Sequence, residues 1–214
     1  MSDKLILWGC GGHAREVSHL CEQIGLEIIG YLDERKEMKG KIVNDLPVLG
    51  DIDDILNLRG RVKIVCSSVG SPTLKERFVK KTLEYGFDFS DPIIHPNVYI
   101  SKRNVIGKGS IICEGVILTV NIEIGDFVIV NRKVTIGHDC NIGDYSTVSP
   151  GVNISGNIKI GEKAYIGTGA SVREKITIGK SALIGGGAFV KDDVPNNTLF
   201  AGVPAVFQRI VEDV

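Results

Sequence analysis

The sequence is short of aromatic side chains, which make up 6% of its 214 residues and include a single tryptophan. Thick cores draw heavily on large rings, so much of this chain is expected to pack around something thinner. Charge of one sign is not in excess either. Lysine and arginine total 25 against 26 aspartates and glutamates, a formal net charge of -1. Residues 1–92 hold 13 basic and 15 acidic side chains, and residues 93–214 hold 12 and 11. Neither half carries the cationic field that a phosphate backbone asks for, and nucleic acid is not an expected partner. Long hydrophobic runs are missing as well. The apolar stretch at 5–8 ends at a glycine turn, too short for a signal sequence, and no later segment approaches the roughly 18 residues of a membrane span. Membrane insertion is not expected. The cysteines, Cys10, Cys21, Cys66, Cys113 and Cys140, are odd in number and never closer than 11 residues apart. Without Cys-x-x-Cys or zinc-finger spacing they fit a reduced, cytoplasmic protein better than a disulfide-built secreted one.

Glycine, by contrast, is plentiful at 26 residues, and its distribution accounts for the missing rings. From residue 94 the chain repeats every six positions. Residues 94, 100, 106 and so on to 190 are 17 branched aliphatics without a slip, and glycine follows 8 of them, as at Gly107, Gly125, Gly143 and Gly161. A 3.6-residue helix would scatter these side chains over several faces, and plain strand alternation would not return glycine every sixth place. A solenoid explains both. Short strands meet at turns, glycine supplies turn geometry that a β-carbon resists, and the aliphatics stack coil on coil along a narrow interior. After Val190, Asp192, Asp193, Pro195, Gly202 and Pro204 break the pattern and are expected to cap the open end.

The first ninety residues read differently. A strand at 4–8 leads through a glycine turn into a helix ending near Ile24, and a second strand over 27–32 ends at Asp33. A short helix at 51–58, a third strand at 62–66 and a helix at 72–85 follow, with Leu74, Phe78, Val79 and Leu83 near one helical face. Alternating strand and helix predict a small parallel sheet. Gly9, Gly11 and Ala14 fit Gly-x-Gly-x-x-Ala, with Gly12 and His13 between them and Asp33 closing the second strand. In a dinucleotide fold the amides of such a turn face a pyrophosphate and the acid takes a ribose hydroxyl. A ligand-free strand–helix turn leaves the same trace. The space before the solenoid holds half of a doubly wound fold, which suits a sugar nucleotide better than a whole dinucleotide.

Taken together, GCGGHA at 9–14, YLDE at 31–34, IHPNVYIS at 94–101, NRKVTIGHDCNIGDY at 131–145, NISGNIKIG at 153–161 and FAGVPA at 200–205 resemble the sugar O-/N-acetyltransferases of the sialic-acid and bacillosamine pathways. The resemblance spans nearly the whole chain. It implies an α/β, half-Rossmann-like sugar-nucleotide domain over 1–92, followed over 93–214 by a left-handed parallel β-helix, the hexapeptide-repeat acyltransferase fold. It implies acetyl-CoA as co-substrate, a nucleotide-linked amino sugar as acceptor, no metal, and a homotrimer with active sites between neighbours.

Moving acetyl from a thioester to an amine or hydroxyl requires a base of near-neutral pKa. Of the four histidines, His13 sits at the glycine loop, His19 on the first helix and His95 at the domain junction. His138 sits in a hexad turn, followed by Asp139. From the residues alone His138 is either a surface turn residue or a base. The resemblance makes it the base, with Asp139 beside it, and places Asn131 near the reacting group of the sugar. It adds Gly9, Gly11, Gly12, His13 and Asp33 on the nucleotide side, and Gly156, Thr168 and Gly186 along the coenzyme arm. The Gly156 N–H is then positioned to polarise the thioester carbonyl. Two positions depart from the family pattern: Gly137 where glutamate is common, and Thr147 where some members carry a second histidine. Cys140 fits a small inward slot and reads as a structural thiol, so transfer is expected to be direct, without an acyl-enzyme. The expected reaction is N-acetylation of the 4-amino group of a 4-amino-4,6-dideoxy sugar, UDP-linked in the first instance. Transfer to GDP-perosamine, O-acetylation of a sialic acid, or a non-catalytic trimeric scaffold are the alternatives. A carbonic-anhydrase-like zinc enzyme is disfavoured, because only His138 lies inside the ladder after His95.

Overall fold

The structure is a computed structural model and describes residues 4–212. Its N-terminal part is a six-stranded sheet of order β3-β4-β2-β1-β5-β6. The strands are β1 (Lys4–Trp8), β2 (Ile28–Leu32), β3 (Ile42–Val43), β4 (Leu46–Gly50), β5 (Val62–Val65) and β6 (Asp88–Phe89). Every pairing is parallel except the β3–β4 hairpin. β1 lies at the centre and is covered on both faces, which is why it reads as a continuous apolar run. Leu5 and Leu7 point to α1 (Gly12–Gln23), while Ile6 and Trp8 point to α2 (Pro72–Glu84). Residues 52–58 form a 3₁₀ helix held at its start by a reciprocal Asp51–Asp54 capping box.

The expected apolar face of α2 needs correction. Leu74 and Leu83 are 38% and 59% exposed, whereas Lys75 and Thr82 are fully buried beside Phe78 and Val79. Residues 75, 78, 79 and 82 follow the i, i+3, i+4, i+7 rule, so the buried face is centred on Phe78 and Val79 as in the hydrophobic reading but is narrower, with Leu74 and Leu83 at its exposed edges. Thr82 is drawn inward because its hydroxyl accepts the Trp8 indole N–H at 3.0 Å, under a Trp8–Phe78 stack.

From Ile93 onward the chain winds as a three-faced, left-handed parallel β-helix with rungs of two residues. The first face carries Ile111–Ile112, Ile129–Val130, Thr147–Val148, Tyr165–Ile166 and Leu183–Ile184; the second runs from Ile117–Leu118 to Phe189–Val190, and the third from Val105–Ile106 to Thr177–Ile178. Each rung pairs in parallel with the residue 18 positions on, as Ile129 with Thr147 and Ile136 with Ile154. The ladder aliphatics from Ile112 to Val190 are buried in a single cluster, with Ile94, Ile100 and Ile106 packed against it at the open end. Cys140 belongs to the same cluster, its thiol donating to the Ser155 carbonyl at 3.1 Å.

The glycines after the ladder positions serve a purpose other than the one read from the sequence. The left-handed corner falls two residues later, at Gly109, Asn121, Asp139, Asn157 or Lys175, and most of these are not glycine. The glycine itself is required by the neighbouring coil. A β-carbon on Gly161 would stand 2.5 Å from the Lys180 nitrogen, and one on Gly137 would stand 2.7 Å from the Gly156 nitrogen. The C-terminal segment also goes further than a break. Val194 bridges to Ile178 and Thr198–Ala201 adds a parallel rung to the first face, before Val206–Ile210 folds back antiparallel and closes the end.

The N-terminal sheet docks on the first face and on the corner between the third and first faces. Ile93, Ile111 and Cys113 join the core under α1, and Phe127 joins the core under α2, with Phe89 edge-on to its ring at 4.8 Å. Lys75 crosses the junction and donates to the Ser146 carbonyl at 3.1 Å and the Thr147 hydroxyl at 3.0 Å. Burial with no carboxylate among these hydrogen-bond partners holds its pKa well below the usual lysine value. Thr147 in turn donates to the Gly70 carbonyl at 2.8 Å. If coil stacking leaves no room for a β-carbon, Gly161→Ala lowers stability by about 1–3 kcal/mol in urea unfolding; an unchanged midpoint would show that the coils can part.

Candidate active site

Residues at one solenoid corner stack on residues 18 positions away, so the corner between the second and third faces carries Asn121, Asp139 and Asn157 in file, with His138 above Gly156. Asp139 sits in the left-handed region (φ 58°). That twist turns its side chain toward its own neighbour: His138 Nδ1 lies 2.6 Å from Asp139 Oδ2. The other carboxylate oxygen accepts from Asn121 Nδ2 at 2.9 Å. The amide of Asn121 first, and His138 second, hold the Asp139 carboxyl below the usual carboxylate range. An ionised carboxylate only accepts, so Nδ1 carries the hydrogen and the lone pair is on Nε2. Nε2 lies over Gly156, where a β-carbon would approach it to 2.6 Å. The imidazole is half exposed, and the Gly156 N–H donates to no protein acceptor among the described residues. A proton acceptor and a free amide donor thus share one exposed corner, the pairing that acyl transfer uses.

The two departures from the family pattern now have physical reasons. Gly137 leaves no room for a glutamate side chain because the next coil covers it. Thr147 is buried under the N-terminal domain, bonded to Lys75 and Gly70, and lies on a different face from His138.

The other expected residues stand elsewhere. Asn131, Thr168 and Gly186 lie on the corner between the first and second faces, and a β-carbon on Gly186 would press on the Thr168 carbonyl at 3.2 Å. Within one chain the second face separates them from His138 and Gly156. The glycine loop lies on the first-face side, opposite the His138 corner. There Gly9 adopts φ 79°, while β-carbons on Gly11 would meet nothing within 4 Å and on Gly12 only the end of Arg15. Gly11 caps α1 without a side-chain hydrogen bond, leaving first-turn amides for an anion. Gly9, Gly11 and Asp33 line a cleft of 290 Å³ with Arg35, Leu74 and Arg77.

Asp33 does not face that cleft as a free acid. Arg35 Nε and Nη2 each reach its carboxylate at 2.8 Å and the Cys10 thiol donates to it at 3.0 Å. Arg35 holds the Asp33 carboxyl well below its usual range. Cys10, in turn, is pushed up to about 11 by burial and by Asp33. Cys21, Cys66 and Cys113 are held at about 12 by burial, so these are not poised nucleophiles. Arg35 and Arg77 are the cations lining the cleft, and Glu34, which lines it too, accepts from Arg77. Sequence reasoning passed over both arginines, although Arg35 stands two residues after Asp33, a spacing that lets a side chain fold back on its neighbour. His13 donates from Nε2 to the Ser67 carbonyl at 3.2 Å and is half-buried beside Glu16. No group of three or more His, Cys, Asp or Glu side chains able to hold a metal occurs among the described residues.

A three-faced prism of parallel two-residue rungs behind an N-terminal α/β domain is the hexapeptide-repeat solenoid architecture. Residues 4–82 match the PglD N-terminal domain family. The acetyltransferase domain of PglB from Neisseria gonorrhoeae, solved with acetyl coenzyme A, is 31% identical with a TM-score of 0.86, covering 97% of this chain and 100% of that one. WeeI from Acinetobacter baumannii is 30% identical with a TM-score of 0.86 over the same shares. PerB from Caulobacter crescentus, solved with CoA and GDP-perosamine, is 28% identical with a TM-score of 0.87, covering 96% of this chain and 97% of that one. No curated protein matches the chain. The chain belongs to the hexapeptide-repeat, left-handed β-helix acyltransferases of nucleotide-linked sugars and is an acetyl-CoA-dependent enzyme. Because Gly156 leaves the space that the imidazole fills, Gly156→Ala is expected to lower kcat at least about tenfold in a thiol-release assay. Its unfolding midpoint should move little, since a half-exposed ring can swing aside. Full activity in this variant would mean that the ring works from another position.

Proposed function

We propose that this protein transfers the acetyl group of acetyl-CoA to the 4-amino group of a nucleotide-linked 4-amino-4,6-dideoxy sugar. The observation that carries the reading is the His138–Asp139 pair over the Gly156 amide. The acceptor amine attacks the thioester carbonyl while His138 Nε2 takes its proton. Asp139 holds the ring and supports the imidazolium. The Gly156 N–H stabilises the tetrahedral oxyanion. Collapse expels the CoA thiolate, which recovers the proton from His138. No acyl-enzyme intervenes, in keeping with the protonated cysteines.

The acceptor enters through the N-terminal domain. The uncovered amides of Gly11 and Gly12 meet the diphosphate, with Gly9 setting the turn and His13 on the sugar side. Asp33 acts through Arg35, which it aims at the cleft, in place of a direct bond to ribose. Asn131 holds the acceptor amine, and Thr168 and Gly186 line the pantetheine arm. The relative solved with GDP-perosamine supports a GDP-linked acceptor over the UDP-linked one expected from the sequence. These residues flank the second face on two corners, so a complete site takes one corner from each of two chains. Head-to-tail contacts of this kind close into a ring, and Ile117 and Phe189, exposed on the second face, suit the contact in a homotrimer. A cytoplasmic location fits the five buried free thiols. No described helix is long and apolar enough to cross a membrane.

Thiol release from acetyl-CoA, measured across GDP- and UDP-linked 4-amino sugars and free sialic acid, tests the reading. Turnover is expected with a nucleotide-linked amino sugar, and His138→Ala should lose about 10²–10⁴ in kcat/KM. Turnover with sialic acid alone would reject N-transfer, and an unimpaired variant would remove His138 from the chemistry.

A further inference from the structure

Between α1 and the corner that carries Asn131 lies a narrow cleft lined by His13, Glu16, His95, Cys113, Glu114 and Arg132. Its polar groups form a chain. His13 Nε2 meets the Ser67 carbonyl at 3.2 Å, and a carbonyl only accepts, so Nε2 carries a hydrogen and Nδ1 is the nitrogen that titrates. Nδ1 faces Glu16 Oε2 at 3.6 Å. The other Glu16 oxygen accepts from Arg132 Nη2 at 2.8 Å. Ser67 is itself fixed to the solenoid, its hydroxyl donating to the Gly109 carbonyl at 2.6 Å. Glu16 therefore touches the glycine-loop imidazole with one oxygen and the solenoid corner next to Asn131 with the other.

We propose that Glu16 is a positioning residue for His13, holding the imidazole on the sugar side of the acceptor, in the cleft beside Asn131's corner, and tying the glycine loop to that corner. The inference rests on the reading above, in which His13 meets a nucleotide-linked acceptor. Its physical basis is a balance of charge. Burial lowers the His13 pKa, Glu16 on the same helix opposes that, and Lys75 from α2 adds to the lowering. Arg132, through its hydrogen bond, keeps Glu16 ionised below the usual carboxylate range. Of the remaining groups around the cleft, His19 Nδ1 faces Glu22 at 3.6 Å, His95 Nδ1 accepts the Asn97 N–H at 3.2 Å, burial holds the Cys113 thiol at about 12, and Glu114 adds a second carboxylate at the rim. A diphosphate arriving at the loop favours the imidazolium in the same sense as Glu16, so the carboxylate prepares the ring for its ligand. Without Glu16, burial and Lys75 lower the His13 pKa unopposed by a carboxylate, and the ring is held only by Ser67.

The test is an NMR titration of the His13 imidazole in the full-length protein, in wild type, Glu16→Gln and Arg132→Met. Glu16→Gln is expected to move the His13 midpoint down by about 0.5 pH or more, or below the pH at which the protein stays folded. Arg132→Met leaves the carboxylate facing His13 alone and is expected to move the midpoint up. A merely structural brace would move both in one direction or neither, and either result overturns the proposal. Kinetics supply the second readout: Glu16→Gln should lower kcat/KM for the nucleotide sugar about tenfold and leave the KM for acetyl-CoA unchanged. An equal loss for both substrates overturns the proposal. A wild type that acetylates no amino sugar would defeat the acceptor reading, while the opposite midpoint shifts would still decide whether Glu16 sets the state of His13.

Discussion

Stacking of two-residue rungs at an 18-residue interval is the constraint from which the other features of the structure follow. Each rung bonds in parallel to the next, and the interior between three such faces accepts one branched aliphatic per rung. Branched side chains suit a pleated, crowded surface, and rings do not fit, which is why aromatics are scarce in the sequence. The same closeness removes β-carbons after the ladder positions and leaves the corners as the places where side chains project freely. A site built on this fold is therefore a corner site, and residues 18 apart in sequence become neighbours in space.

His138, Asp139, Asn121 and Gly156 illustrate the consequence. The left-handed backbone at Asp139 is a general feature of these corners, yet at this one it turns a carboxylate onto the preceding imidazole. Asn121, one coil earlier, then holds the second oxygen, and the glycine one coil later leaves space for the ring. A solenoid of this kind orients an imidazole with main-chain repetition and needs no separate loop. The N-terminal sheet is mounted on the opposite side, anchored by Lys75, Phe127 and the Glu16–Arg132 pair. Its cleft and the imidazole of the same chain thus lie on opposite sides of the solenoid, which is why the proposed site draws on two chains.

Much of this was legible in the residues. The period of six located every rung from Ile94 to Val190, and alternating strand and helix located β1, α1, β2, β5 and α2 within a residue or two. Other features left a signal too local to weigh. The β3–β4 hairpin turns at Asn44 and Asp45, both at positive φ, as two polar residues between short apolar runs can do. The narrow inner face of α2 was hidden because Lys75 and Thr82 are buried for their hydrogen bonds, against the hydrophobic pattern. The role of the ladder glycines was also hidden, since crowding by a coil 18 residues away leaves no trace different from that of a turn. Asp33 was legible as an acid at a strand end, but its engagement by Arg35 depends on side-chain packing. The division of the candidate residues between two corners follows from the rung spacing, which sets residues 131 and 138 on opposite edges of the second face.

The central claim is that one chain presents the acceptor to the His138 of another, and co-assembly of two inactive variants tests it. Gly11→Asp places a negative charge on the glycine loop, at a position with an ordinary φ and open space for a side chain; His138→Ala removes the imidazole. Unfolded together and refolded as mixed trimers at equal concentration, they should regain about one quarter of wild-type sites, each joining an intact loop to an intact imidazole. Activity no greater than that of the two variants refolded separately would place loop and base in the same chain and contradict the account.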